Sequence, residues 1–150
     1  MNEYQKLLAF LKITGENLKI LHHNLVGGDW FANHEQLGEY YEKVANIADE
    51  AAERGLSLGY KEPTISEAVL LFQSDILPAM DRDTRESFGV VAAAFRSLAG
   101  MMSAAKAIAP PDVQNKLDEW IYSFNFEADY KLARLLGKTP ETTAEEEWDD

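Results

Sequence analysis

One connection indicates how this chain folds: residues 21–34 read LHHNLVGGDWFANH and contain every histidine of the protein. The apolar stripe of a first helix ends near His22, Gly27-Gly28 interrupts it, and a second helix begins near Asp29. If the two helices fold back about these glycines, His22 and His34 lie equally far from the turn and therefore at the same height. The sequence thus predicts a helical hairpin that brings two imidazoles together.

The composition is typical of one ordered globular domain. The chain has 150 residues, of which 46% are hydrophobic and none is cysteine. Without cysteine there are no disulfides, thiolate zinc sites or cysteine nucleophiles, and this fits the reducing cytoplasm. The amino terminus lacks a signal pattern, and no run approaches the roughly 20 apolar residues of a membrane span. We therefore expect a cytoplasmic protein with no membrane contact.

The charge balance bears on possible partners. There are 26 acidic against 14 basic side chains, which gives a net charge of -12. A phosphate backbone attracts proteins through lysine and arginine, so this balance opposes DNA binding. The same carboxylates would attract cations.

The spacing of apolar residues predicts an all-α protein with four long helices and one short one. The long helices are expected at residues 2–26, 29–54, 83–109 and 111–137, and the short helix at 64–72. Asn2 is the expected cap of the first helix, and Gly55 the expected stop of the second. The inner face of the second helix is predicted to carry Leu37, Tyr41, Val44, Ala48, Ala51 and Ala52.

The connection between the second and third long helices sets the topology. At about 27 residues it is too long for a simple hairpin, so the chain must cross along the bundle as in ferritin-like folds. Residues 1–137 are therefore predicted to form a ferritin-like four-helix bundle with a short helix in the crossover. Residues 138–150 are expected to form an acidic, mobile tail.

A carboxylate pair, Asp49 and Glu53, lies one helical turn apart on the second helix. At 1.5 Å per residue, His34 is about 22 Å from Asp49 and about 28 Å from Glu53, so one chain cannot bring them to one ion. Two copies of this helix, antiparallel across a twofold axis, would join the histidine end of one chain to the carboxylate end of the other. Such mixed ligands suit Fe, with Zn or Mn as substitutes. A site inside the bundle is not expected, because no Glu-x-x-His pattern occurs.

These residues also resemble the signature of the Dps-type mini-ferritins, the DNA-protection-during-starvation family. The matching positions are His22-His23-Asn24-Leu25-Val26-Gly27, Trp30-Phe31-Ala32-x-His34-Glu35-x-Leu37, Tyr41, Asp49 and Ala52-Glu53-Arg54. The resemblance implies a hollow homo-oligomer, a dodecamer built from twofold dimers, that acts as a ferroxidase on Fe(II) with hydrogen peroxide and stores the ferric product. Carried over by position, His22 and His34 would be metal ligands from one subunit, with Asp49 and Glu53 from its partner.

Two positions depart from the family pattern. Gly38 stands where the family has an Asp and supplies no ligand, and His23 stands where the family usually has a Trp. His23 is either an extra ligand or a surface histidine. Gly38 leaves a second interpretation open, a non-catalytic Dps-like shell with a weakened metal site. A third interpretation is a DNA-coating protein. Family members that bind DNA often use a Lys-rich terminal extension, whereas in this chain only Lys6 precedes the body of the first helix.

Overall fold

The computed structural model describes residues 1–138, and these are helical with no β-strand among them. Its helices are α1 (Glu3–His23), α2 (Trp30–Ser57), α3 (Ile65–Leu71), α4 (Thr84–Lys106) and α5 (Pro111–Phe126). The all-α prediction is confirmed, including the short helix in the crossover. The predicted acidic tail, residues 138–150, lies outside the described residues apart from Lys138.

Side-chain caps define three of the helix starts. The side chains of Asn2, Thr64 and Asp83 each accept a hydrogen bond from the backbone N–H three residues later. Each cap satisfies an N–H that the helix leaves without a partner and contributes about 1 kcal/mol. The predicted cap at Asn2 is confirmed.

Three predicted helix ends are wrong. α1 ends at His23 rather than Val26, α2 continues past Gly55 to Ser57, and α4 ends at Lys106 rather than Ala109. Gly55 is buried because the ring of Tyr4 packs over it, and a Cβ at this position would lie 2.8 Å from Tyr4 Cε1. This glycine permits close helix packing, and Gly59, with a φ of 84°, provides the turn after the helix.

The buried face of α2 differs in part from the predicted one. Tyr40 and Ile47 lie in the core, with 4% and 8% exposure. Tyr41 and Ala48, predicted as inner residues, are only half-buried and line a groove beside Leu11 of α1. α2 therefore has a second, partly apolar face that residues 1–138 leave partly exposed.

The crossover ends beside the histidine hairpin. The backbone N–H of Val26 donates to the Arg82 carbonyl at 3.0 Å, and the Arg82 N–H donates to the Asn24 carbonyl at 3.3 Å. The crossover starts after the carboxyl end of α2, which is the end away from the hairpin. The chain therefore runs along the length of the bundle before α4 begins. The predicted ferritin-like connection is confirmed.

α5 is not followed by a simple α-helical continuation. A π-helical segment, Glu127–Leu132, precedes a last turn at Ala133–Leu135. Arg96 of α4 donates to the Ala128 carbonyl at 3.4 Å and to the Asp129 carboxylate at 3.1 Å. The widened turn thus places a carbonyl where an arginine of the neighbouring helix can bind it.

α4 is the one described helix that is long and apolar enough to cross a membrane. Its apolar residues, among them Phe88, Phe95 and Met102, form the centre of the bundle core at 0 to 1% exposure. This burial accounts for its hydropathy.

Candidate metal centre

The loop between α1 and α2 reverses the chain in a few residues. Gly27 has a φ of 112°, and Asp29 has a φ of 56°, in the left-handed region that aspartate tolerates better than most residues. The indole N–H of Trp30 donates to the Leu25 carbonyl at 2.8 Å and holds the start of α2 against the end of α1. His22 and His34 therefore face each other across the hairpin.

The two imidazoles are fixed by reciprocal hydrogen bonds. His22 Nδ1 lies 2.8 Å from the His34 carbonyl oxygen, and His34 Nδ1 lies 2.9 Å from the His22 carbonyl oxygen. A carbonyl only accepts, so each Nδ1 must carry the proton and donate. In the neutral ring Nε2 then keeps its lone pair, which is the state a metal ligand needs.

The rings form a stack of three. His22 and His34 have centroids 3.8 Å apart and an interplanar angle of 14°, and Trp30 lies 4.3 Å beyond His34 at 12°. His23 is exposed, with its ring centroid 5.4 Å from that of His22. The predicted convergence of His22 and His34 is therefore present within one chain.

The electrostatic surroundings favour the neutral form of His22. Burial lowers the pKa of its imidazole, and the nearby His34 and His23 rings lower the pKa further, against the opposing effect of the hydrogen bond to the His34 carbonyl. A neutral imidazole is free to bind a cation without first losing a proton.

Gly38 lies directly beside this stack. A Cβ at position 38 would be 3.0 Å from His22 Cε1 and 3.6 Å from His22 Nε2. The His22 ring therefore occupies the space that a side chain at this position would need. Gly38 both removes a potential ligand and provides the room for the ring.

The carboxylates lie far from the histidines. Asp49 and Glu53 are exposed on α2, which runs unbroken from Trp30 to Ser57, so helix geometry keeps them about 22 Å and about 28 Å from His34. Among residues 1–138, no three His, Cys, Asp or Glu side chains come together as a metal-binding group. Both carboxylates line one shallow groove, whose other walls are Lys12, Ala45, Ala48, Ala52, Leu56 and Glu62.

Sequence reasoning missed two supports of the site. Trp30 precedes His34 by one helical turn, a spacing that places side chains in contact on one face and would have revealed the stack. The role of Gly38 as a space for the His22 ring had no such signal, because it depends on how closely α1 approaches α2.

Comparison with known proteins gives structural matches only. No protein-family model matches the sequence, and no curated protein matches it. The chain is similar to the crystal structure of antigen TpF1 from Treponema pallidum, with a TM-score of 0.83, 22% identity and coverage of 89% of this chain and 88% of that one. It is similar to Dps92 from Deinococcus radiodurans, with a TM-score of 0.80, 22% identity and coverage of 93% and 86%. Dps from Listeria innocua gives a TM-score of 0.76, 18% identity and coverage of 93% and 97%.

These likenesses establish the architecture. The chain has the Dps-type mini-ferritin fold, a ferritin-like four-helix bundle with a short helix in the crossover. At 18 to 22% identity the structural similarity shows the fold, whereas the function depends on the side chains of the site.

Proposed function

We propose that this protein is a Dps-like ferroxidase that oxidises Fe(II) with hydrogen peroxide and stores the ferric product. The observation that carries this proposal is the pair of stacked imidazoles whose Nδ1 atoms are both bound by backbone carbonyls. Each ring is thereby oriented with Nε2 free for a metal, as ligating histidines usually are.

The site is completed by a second copy of the chain. Asp49 and Glu53 cannot reach the histidines of their own chain, but antiparallel pairing of two α2 helices brings them to the histidines of the partner. Relative to His34 they lie only about 60° and 100° around the helix, so all three occupy one broad side. Each dimer then has two equivalent sites.

The surface around the carboxylates suits such pairing. Ala45, Ala48 and Ala52 line the groove beside Asp49 and Glu53, and small residues let two helices approach closely. Ile65 of α3, at 53% exposure, lines the adjoining groove with Ala45 and Ala48 and adds apolar surface to this face. We infer a twofold dimer here and, by the likeness to Dps structures, a dodecameric shell built from it.

The donor set fits iron as a substrate. Imidazole nitrogens and carboxylate oxygens bind Fe(II), and the two anionic oxygens stabilise Fe(III) more strongly because its charge is higher. The carboxylates therefore favour loss of an electron from the bound ion. Each peroxide takes one electron from each of two Fe(II) ions, accepts two protons and leaves as two waters. Zn and Mn suit the same ligands, and His23, with its ring centroid 5.4 Å from that of His22, is the candidate for an additional nitrogen.

The charge of the chain agrees with this proposal. A net charge of -12 raises the local concentration of cations and opposes contact with DNA, so we propose that iron and peroxide, rather than DNA, are the partners. We place the protein in the cytoplasm, where cysteine-free composition is unremarkable and free iron with peroxide is harmful.

The second candidate is a non-catalytic shell. Gly38 favours it, because the ligand that the family pattern places there is absent and His22 fills the space. In that case the particle assembles but Fe(II) is oxidised no faster than in buffer.

A rate measurement separates the two candidates. We expect the apoprotein, given Fe(II) and peroxide without oxygen, to form ferric product faster than buffer, as followed by its near-ultraviolet absorbance. Glu53→Gln should lose this acceleration because it removes a carboxylate charge. Glu42→Gln, an exposed change on the same helix, should keep it. A wild-type rate equal to buffer, from particles of full size by light scattering, would favour the inert shell.

A further inference from the structure

Three exposed aromatic side chains form a row on the side of α5 opposite its buried residues. Tyr122, Phe126 and Tyr130 are 73, 44 and 56% exposed. Ring centroids are 6.1 Å apart between Tyr122 and Phe126 and 5.3 Å apart between Phe126 and Tyr130, with interplanar angles of 4° and 18°. In an α-helix, residues four apart drift by about 40° around the axis, whereas the wider π-helical turn brings Tyr130 back into line. We call these three side chains the aromatic row.

The size of the aromatic row indicates what it can bind. An aromatic side chain has about 150–250 Å² of surface, so the exposed fractions correspond to about 350 Å² in all. A stable contact with a second copy needs about 800 Å² on each partner, more than twice this area. Contiguous apolar patches of a few hundred Å² are nevertheless often binding surfaces. The row therefore suits a short segment with one aromatic side chain rather than another folded subunit.

Cations surround the aromatic row, although the chain as a whole carries a net charge of -12. Lys131 lies over the Phe126 ring with its Nζ 5.8 Å from the centroid, and Arg134 is exposed one turn after Tyr130. Two cations of neighbouring helices also contact this part of the chain, Lys43 at Ser123 and Arg96 at Asp129. The carboxylates of this segment, Glu127 and Asp129, are therefore outnumbered. An acidic segment would be attracted here.

Residues 139–150 have the composition that this surface requires. Their sequence, TPETTAEEEWDD, contains six carboxylates, no lysine or arginine, and a single aromatic residue, Trp148. They follow Lys138, which lies about 12 Å beyond Tyr130 and about 24 Å beyond Tyr122 at the helical rise. Ten extended residues span up to about 33 Å, so Trp148 can reach every ring of the row. Attachment to the same chain gives Trp148 an effective concentration in the millimolar range.

We infer that the aromatic row is a docking site for Trp148 of the same chain. The indole packs against the row, where offset or edge-to-face contact between aromatic rings is favourable. The carboxylates on both sides of Trp148 pair with Lys131 and Arg134, the exposed cations beside the row. The acidic composition alone predicts a segment that stays in solution, and Trp148 is the residue that changes this expectation.

Fluorine NMR of the assembled protein tests the inference. The full chain labelled with fluorotryptophan has three labelled residues, and the Trp148 signal is identified by its loss in Trp148→Phe. A side chain that moves independently of the particle gives a narrow signal. We expect the wild-type Trp148 signal to be as broad as that of Trp120, which is 8% exposed. Phe126→Ala should narrow it by removing the central ring, and alanine favours the helix, so the fold is retained.

Two further variants complete the experiment. Arg134→Glu should also narrow the Trp148 signal, because the new charge repels the neighbouring carboxylates. Leu70→Ala removes a side chain that is 79% exposed on α3 and should leave the signal broad. A narrow wild-type signal would overturn the inference, as would a broad signal that survives Phe126→Ala. If Phe126→Ala lowers the particle mass in light scattering while wild-type Trp148 is narrow, a second copy occupies the row and the inference is wrong. None of these results bears on the proposed metal site.

Discussion

Replacement of Gly38 by alanine tests the packing of the histidine pair. Alanine in a helix interior is usually more stable than glycine by about 0.8–1.0 kcal/mol. At position 38 the new Cβ would lie 3.0 Å from His22 Cε1, so the ring must move by a few tenths of an ångström. That ring is held by a 2.8 Å hydrogen bond and by the stack on His34. Weakening or loss of the hydrogen bond would cost up to about 0.5–1.5 kcal/mol, which is of the same size as the helix gain and opposes it.

Gly100→Ala is the matched control. Gly100 lies inside α4, and a Cβ there meets no atom within 4 Å. We expect this control to stabilise the protein by the full helix gain, about 2–4 °C in midpoint temperature for a chain of this size. Gly38→Ala should show a smaller gain than the control, or a loss, together with weaker binding of Co²⁺ in place of Fe(II). Both are measured by thermal unfolding at one protomer concentration, because oligomers unfold at a concentration-dependent temperature. Equal stabilisation by both changes, with Co²⁺ affinity intact, would refute the packing argument.

Two further predictions concern buried tyrosines. The Tyr40 hydroxyl donates to the Glu127 carboxylate at 2.8 Å, and burial raises the pKa of this phenol. Because Tyr40→Phe removes a hydrogen bond to a charged group, it should lower the free energy of unfolding, measured in urea, by about 1.5 kcal/mol. An unchanged unfolding midpoint would contradict this. Burial also raises the pKa of Tyr4 from 10.0 to about 12, and its hydroxyl donates to the Ala51 carbonyl. The folded-state pKa lies above the unfolded one, so this stability is present below pH 10.0 and is lost as the pH rises towards about 12. Between these pH values the free energy of unfolding of Tyr4→Phe should therefore fall less than that of the wild type. Equal falls in the two proteins would show that ionisation of Tyr4 does not contribute to the pH dependence.

The sequence was sufficient for the features that depend on spacing along the chain. His22 and His34 flank the Gly27-Gly28 turn symmetrically, so any tight helical hairpin brings them to one height. The crossover follows from the length between α2 and α4, which no short turn can occupy. The separation of His34 from Asp49 follows from the rise of one helix. None of these three features requires knowledge of how the helices pack against each other.

Features that depend on packing against a neighbouring helix could not be predicted from the spacing of residues. α2 carries two adjacent apolar stripes, one with Tyr40 and Ile47 and another with Tyr41 and Ala48, and helical period alone does not tell which one faces the core. The π-helical segment after α5 has no sequence pattern of its own, since its carbonyl partner is Arg96 on a different helix. Assembly and the identity of the bound ion depend on a second chain.

Two glycines of α2, Gly38 and Gly55, have the same structural role. Gly55 lies under the ring of Tyr4 and Gly38 lies against the ring of His22, and a Cβ at either site would come within 3.0 Å of that ring. Tyr4 and His22 are near the two ends of α1, so both ends of this helix approach α2 more closely than larger side chains would allow. This approach sets the register of the hairpin and places His22 opposite His34. Gly38 is therefore part of how the imidazole pair is built, and an aspartate there would add a carboxylate but require the His22 ring to shift by a few tenths of an ångström.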